Sequence, residues 1–193
     1  WTLLHKLRRA MVCPGRDRLS GSVQVDETYI GGPRSGKQGR GAEGKTLVLI
    51  AAEDRDNRIG RIRLRKIKDA SGQSLISAVK ESVEPDSKIF TDGWGGYNEL
   101  SSAGYPHKII RKTADTGENL LPLAHRVAAL LKRWLLGTHQ GAVRSSHLDY
   151  YLDEFVFRFN RRTSASRGLL FYRLIQQAVT IGPVKAENIR GRE

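Results

Sequence analysis

Apolar residues in the opening WTLLHKLRRAMV fall at positions 1, 3, 4, 7, 11 and 12, close to helical spacing. The segment reads as a basic amphipathic helix ending before Pro14-Gly15. Ser22–Ile30 (SVQVDETYI) carries the strand formers Val23, Val25 and Ile30, and Gly31-Gly32-Pro33 stops it. Arg34–Lys45 is Gly-rich and basic and reads as a mobile loop. Lys45–Glu53 is a continuous apolar run, the pattern of a strand buried on both faces. Asp56-Asn57 predicts a hairpin turn, and the charged–apolar alternation of Arg58–Ile67 predicts a strand with one wet face. Ser71–Val83 reads as a helix with Ser71 as its N-cap, Lys88–Thr91 as a short strand, and His107–Lys112 as the last strand.

The second half changes period. Leu120–Gly137 predicts a helix starting after Pro122 and stopping at Gly137. In Ser145–Arg162, residues Leu148, Tyr151, Leu152, Phe155, Val156 and Phe159 form one stripe, the clearest amphipathic helix in the chain. A further helix is expected over Leu169–Val179. Three strands, a helix, a strand, a helical excursion, a strand and then helices suggest an α/β fold: a mixed five-stranded sheet flanked by helices.

Composition narrows the class. The 193 residues suffice for one ordinary domain, and 39% hydrophobic content excludes wholesale disorder. No apolar run approaches the roughly 18 residues of a membrane span, so no membrane partner is expected. A single cysteine, Cys13, excludes an internal disulfide framework and a thiolate zinc cage. The net charge of +13 makes a polyanion the first expected partner.

Two acids stand out. Asp26 lies inside a strand, where Asp is disfavoured, and Glu27 must point to the opposite face. Asp92 ends another short strand. Taken alone, the first could be a turn residue or an ion-pair partner, and the second a turn signal. Together, on neighbouring strands, they can hold divalent cations for phosphoryl chemistry. Candidates for a third ligand are Glu118, Asp149, Asp153, Glu154 and His125. Lys132 follows His125 by seven positions, two helical turns, and can meet a phosphate as a point charge. The same spacing suits a solvent-facing histidine on an ordinary basic helix. Between Leu120 and Arg173 there are nine Lys plus Arg against three acids, a balance suited to phosphate contact or to a solvated helix end.

The strings VDETYIGG, TDGWGGY, HRVAALLKRWLLGTHQGAV and HLDYYLDEFVFRFNRRTS, in that order, resemble the catalytic domain of bacterial insertion-sequence transposases of the ISXO2-like type. The resemblance runs from LHKLRRAM to LFYRLIQQAV. It implies a ribonuclease H-like fold and a DNA transposase that cuts transposon ends and joins them to target DNA with Mg²⁺ or Mn²⁺. The family's first two acids fall on Asp26 and Asp92. The third position, usually Glu or Asn, falls on His125, giving an Asp-Asp-His variant with Lys132 as the accompanying base; Glu154 is the best substitute. Arg133, Arg158, Arg161, Arg162, Arg167, Arg34, Lys37 and Arg40 are the expected DNA-binding residues. The resemblance further implies a homo-oligomer on paired ends and a cytoplasmic, nucleoid-associated protein. Residues 1–20 would be the remaining helix of an upstream DNA-binding region, 21–182 the catalytic domain, and 183–193 a flexible basic tail. Relatives usually begin with a zinc ribbon, so a truncated copy is expected here. Such a copy could also be a non-catalytic DNA-binding remnant or a metal-dependent nuclease.

Overall fold

The computed structural model describes residues 2–12, 17–31, 45–111, 119–141, 143–166, 168–183 and 185–190. Two compact units result: Arg18–Ser145, and a second built from both ends of the sequence, Trp1–Asp17 with Ser146–Glu193.

The first unit holds a five-stranded sheet in the order β3-β2-β1-β4-β5. Its strands are β1 (Ser22–Ile30), β2 (Thr46–Arg55), β3 (Arg58–Ile67), β4 (Lys88–Thr91) and β5 (His107–Ile109). β1 runs antiparallel to β2 with Asp26 opposite Ile50, and parallel to β4 with Gln24 beside Phe90. β2 and β3 form a hairpin whose turn residues Asp56 and Asn57 both take positive φ (53° and 60°). That matches the tight turn expected of this dipeptide, because Asp and Asn tolerate the left-handed region. Val48 to Ala52 are fully buried, as the unbroken apolar run requires of a central strand.

Strand alternation sorts the core into two faces. Val23, Val25, Leu49, Ala51 and Ile89 pack with Leu75, Ile76 and Val79 of α2 (Gly72–Ser82), and with Tyr97 and Leu100 of the 3₁₀ turn Gly95–Leu100. Ser71 caps α2 by accepting from the Ser74 amide. The opposite face carries Gln24 and is covered by α3 (Pro122–His139), which packs on β1 and β2.

Two boundaries and the wetness of one strand depart from expectation. α3 does not stop at Gly137. An exposed glycine costs a helix only about 1 kcal/mol, and the true stop is left-handed Gln140 (φ 50°), after which the Gly141 amide donates back to the Leu135 carbonyl. The last strand is three residues long, and Lys112 lies outside the described residues. β3 is drier than its alternation suggests, because Arg63 is buried between Ile62 and Leu64. Arg63 shares the face that α2 covers and satisfies its guanidinium on the Ile62 carbonyl at 2.9 Å.

The second unit joins α1 (Thr2–Ala10) to α4 (Leu148–Asn160), α5 (Gly168–Thr180) and α6 (Ala186–Arg190). Its small core brings together Ala10, Phe157 and Leu174. Arg8 and Glu154 form a buried pair at 2.7 Å, and the Arg8 guanidinium also lies 4.1 Å from the Tyr151 ring centre. His5 is fully buried among the rings of His147, Tyr150 and Tyr151. Burial, reinforced by Arg8, lowers its pKa to about 4, so it is neutral in ordinary buffers. α6 lies where the sequence suggests a basic tail. Ile189 is buried, and its carbonyl accepts from His147 Nε2 at 2.9 Å, which gives the segment a reason to order.

Candidate active site

Asp26 lies inside β1, and Asp92 directly follows β4. The last paired residues of the parallel ladder are Gln24 and Phe90. Asp26 lies two residues beyond Gln24 on β1 and so shares its face; Asp92 follows the end of β4 and is near enough for its charge to act on Asp26. That face is the one α3 covers, as Gln24 demonstrates. Its side-chain carbonyl accepts from the Leu123 amide at 2.9 Å and from the Ala124 amide at 3.3 Å. The first turn of any helix has amides without intrahelical partners. Here a strand side chain supplies the acceptor, since Leu121, at the N-cap position, makes no side-chain bond. The start of α3 is thereby tied to β1 two residues from Asp26.

The next residue of α3 is His125, whose Nε2 lies 3.2 Å from Asp26 Oδ2. Its Nδ1 is hydrogen-bonded to Asn119 Oδ1, which also accepts from the Leu121 amide at 3.2 Å. The second bond identifies the Asn119 atom as oxygen, an acceptor only, so Nδ1 carries a proton. Nε2 therefore faces Asp26 either as a lone pair or as the second donor of an imidazolium. Burial, with the negative charge of Glu27, raises the Asp26 carboxyl from the usual 3.8 to about 6; His125 and the Glu27 backbone oppose the rise, and Asp92 adds to it.

Asp92 is exposed and accepts from the Trp94 amide at 3.0 Å, an Asx turn. Two of the three glycines that follow are forced by space. Gly93 has φ +85°, and a Cβ there would sit 2.6 Å from Ile109 Cγ2. A Cβ on Gly96 would meet Leu75 Cδ1 at 2.7 Å and the Ala70 carbonyl at 2.8 Å. The string TDGWGGY therefore encodes a turn packed tightly on α2. Glu27 points to the other face, as alternation requires, and accepts from the buried Tyr97 hydroxyl at 2.8 Å. Burial first, then Glu27, pushes the Tyr97 phenol well above its ordinary value.

The remaining expected residues are scattered. Lys132 and Arg133 are exposed on α3. Glu154 is not a ligand in waiting, because Arg8 takes one of its oxygens and Arg158 the other, at 2.8 Å. Asp153 pairs with Arg9 at 3.2 Å. Arg158 is thus half of an ion pair, whereas Arg161 and Arg162 lie about 4 Å from the ring centres of Phe157 and Phe159. Arg34, Lys37, Arg40, Arg167 and Glu118 lie outside the described residues. Gln24 and Asn119 were not picked out from the sequence. The signal for Gln24 was a polar residue between Val23 and Val25, on the face of Asp26; nothing in the sequence marked Asn119 as the partner of a residue six positions on.

The donor set fits a hard divalent cation in part. Neighbouring octahedral ligands at about 2.1 Å lie roughly 3.0 Å apart, close to the 3.2 Å between Asp26 Oδ2 and His125 Nε2. Among the described residues no three His, Cys, Asp or Glu side chains group tightly enough to hold one ion. Beside His125, Gln24, Asn57, Asn119, Arg126 and Ala129 line a cavity of about 460 Å³, open to solvent.

The sheet order, with β1 antiparallel to β2 and parallel to β4 and with helices packed on the sheet, defines an α/β protein of the ribonuclease H-like class. The profile of the ISXO2-like transposase domain matches residues 18–160. The chain belongs to that transposase family. No curated protein is significantly similar to it. Among the described residues no helix is long and apolar enough to cross a membrane.

Proposed function

We propose that the chain catalyses metal-dependent cleavage of transposon ends and strand transfer into target DNA, with Asp26, Asp92 and His125 as an Asp-Asp-His variant of the family's acidic triad. The observation that carries this reading is the convergence of His125 Nε2 on Asp26 Oδ2, one helical residue beyond the Gln24 tether. In such a reaction a water or a 3′-hydroxyl oxygen attacks the phosphorus in line, and the opposite oxygen leaves. A bound Mg²⁺ or Mn²⁺ would neutralise charge developing on the attacking and leaving oxygens. Asp26 and His125 would hold it, with Asp92 as the third ligand. Asn119 fixes the His125 tautomer that leaves Nε2 free to ligate. Lys132, exposed on α3, would meet a phosphate of the strand.

The test is cleavage of supercoiled plasmid and of terminal-repeat duplexes with Mg²⁺, Mn²⁺ or chelator. Asp26→Asn and Asp92→Asn should abolish cleavage while leaving the fold intact. His125→Glu should retain activity and favour Mg²⁺, because a carboxylate is a harder ligand than imidazole. Undiminished cleavage by Asp26→Asn would sink the mechanism. Absence of cleavage with DNA binding intact would make the chain a non-catalytic binding protein.

A further inference from the structure

Where the region matched by the family profile ends, the last residue of α4, the turn after it and the start of α5 line a notch of about 240 Å³. Its polar lining is Asn160, Arg161, Thr163, Ser164 and Arg173, with Leu169 and Leu170 as the apolar wall. The lining contains two guanidiniums, two hydroxyls and an amide, and no acid. The surrounding sequence is just as one-sided. Residues 155–186 contain six Lys plus Arg (158, 161, 162, 167, 173 and 185) and no Asp or Glu. One of these six, Arg158, is engaged by Glu154 from outside the stretch.

Arg161 is held in place rather than left to wander. Its guanidinium carbon lies 4.0 Å from the Phe157 ring centre, and one of its terminal nitrogens approaches the Phe157 carbonyl at 3.4 Å. A guanidinium carried on an aromatic ring keeps its charge, and its planar fork of donors suits a tetrahedral oxyanion. The backbone turns between the helices, with the Ser164 amide donating to the Arg161 carbonyl at 3.0 Å. That turn places the Thr163 and Ser164 hydroxyls on the same notch as Arg161. Arg173 lines it from α5.

We propose that this notch is a binding site for a phosphate group of a nucleic-acid backbone, gripped by Arg161 and Arg173 with Thr163 and Ser164 as hydrogen-bond donors. Only the choice of a nucleic-acid phosphate over a free one rests on the proposed function. The donor set reads no base edge, so the site holds any strand in register without selecting sequence.

The experiment measures duplex affinity against salt, in chelator so that binding is read without cutting, for Asp26→Asn and for the same protein carrying Arg161→Gln or Arg173→Gln. Each added substitution should lower the slope of log K against log salt by about 0.9 per lost contact, or about eightfold in affinity at 0.1 M salt. The effect should be equal on terminal-repeat and unrelated duplexes. Arg173 is exposed, so its variant reports even if Arg161→Gln disturbs the helix pair. Calorimetry with orthophosphate at constant ionic strength separates the two sources of phosphate. Weak, Arg173-dependent binding with the slope change supports the proposal. Orthophosphate binding without any slope change would assign the notch to a small anion and overturn it. Unchanged slopes in both variants, with unfolding midpoints unchanged, would also overturn it. Because binding is read without cleavage, failure of the catalytic assignment leaves this result intact.

Discussion

Replacing Asp26 by Asn should make the protein more stable while destroying its activity. The reasoning is electrostatic. The Asp26 carboxyl is raised from 3.8 to about 6, chiefly by burial and then by Glu27. A raised carboxyl pKa means that between about pH 4 and 6 the folded protein keeps a proton that the unfolded chain has released. Folding stability therefore falls as pH rises through that window, and above it the full penalty of the buried charge is present. Two units at about 1.36 kcal/mol each set a ceiling near 3 kcal/mol. The side chain is only 14% exposed, so solvent screening removes little of it, and the opposing pull of His125 is already contained in the net rise. The expected gain for Asp26→Asn is therefore about 1–3 kcal/mol near pH 8 in chelator, shrinking towards zero near pH 4. Urea unfolding across that range measures it. Adding Mg²⁺ or Mn²⁺ should stabilise the wild type and not the variant. A variant less stable than the wild type at pH 8, or a difference that does not vary with pH, would refute the argument.

Other perturbations test the supports of the site and the fold. Gln24→Ala leaves the Leu123 and Ala124 amides without their acceptor and should cost about 1–2 kcal/mol; cleavage should fall further than stability, and Gln24→Glu should restore both. Arg8→Met removes one of the two guanidiniums on the buried Glu154 carboxylate, leaving Arg158, and should cost about 1.5–3 kcal/mol by denaturant unfolding, whereas Arg8→Met with Glu154→Leu should recover much of it. Glu53 is desolvated, yet hydrogen bonds from Arg61 and Ser20 outweigh burial and hold its pKa down. Its contribution is therefore complete above the ordinary carboxylate range and lost as pH falls through the lowered value, so Glu53→Gln should destabilise at neutral pH and lose that effect in acid.

Much of the fold was legible because its signals are local. The run Leu47–Ala52 can only be a buried strand, Ser71 announces its helix, and Asp56-Asn57 its hairpin. Asp26 was legible because a strand tolerates Asp only for a reason, and Asp92 because the glycine behind it marks a turn. What stayed hidden depends on partners distant in sequence. Nothing near Glu154 shows that Arg8, 146 positions away, neutralises it. Arg63 looked like a solvent residue because alternation does not reveal which strand face a helix will cover. Gly137 looked like a stop because the cost of an exposed helical glycine is small beside the packing of Leu131 and Leu135.

The clasp between Arg8 and Glu154 also sets a schedule for folding. A ribosome adds about 5–20 residues per second, so the 146 positions between the two side chains correspond to roughly 7–30 s of synthesis. Throughout that interval α1 is outside the tunnel without α4, and its Arg8 has no buried partner. The unit Arg18–Ser145, whose sheet contacts all lie between those two residues, can close first. The helical unit can close only after its last helices emerge, so a stall late in translation would release a chain with a finished sheet and an unsheltered α1. Such a chain would be cut first by a protease within residues 2–12, and slowing the ribosome should lengthen that window in proportion.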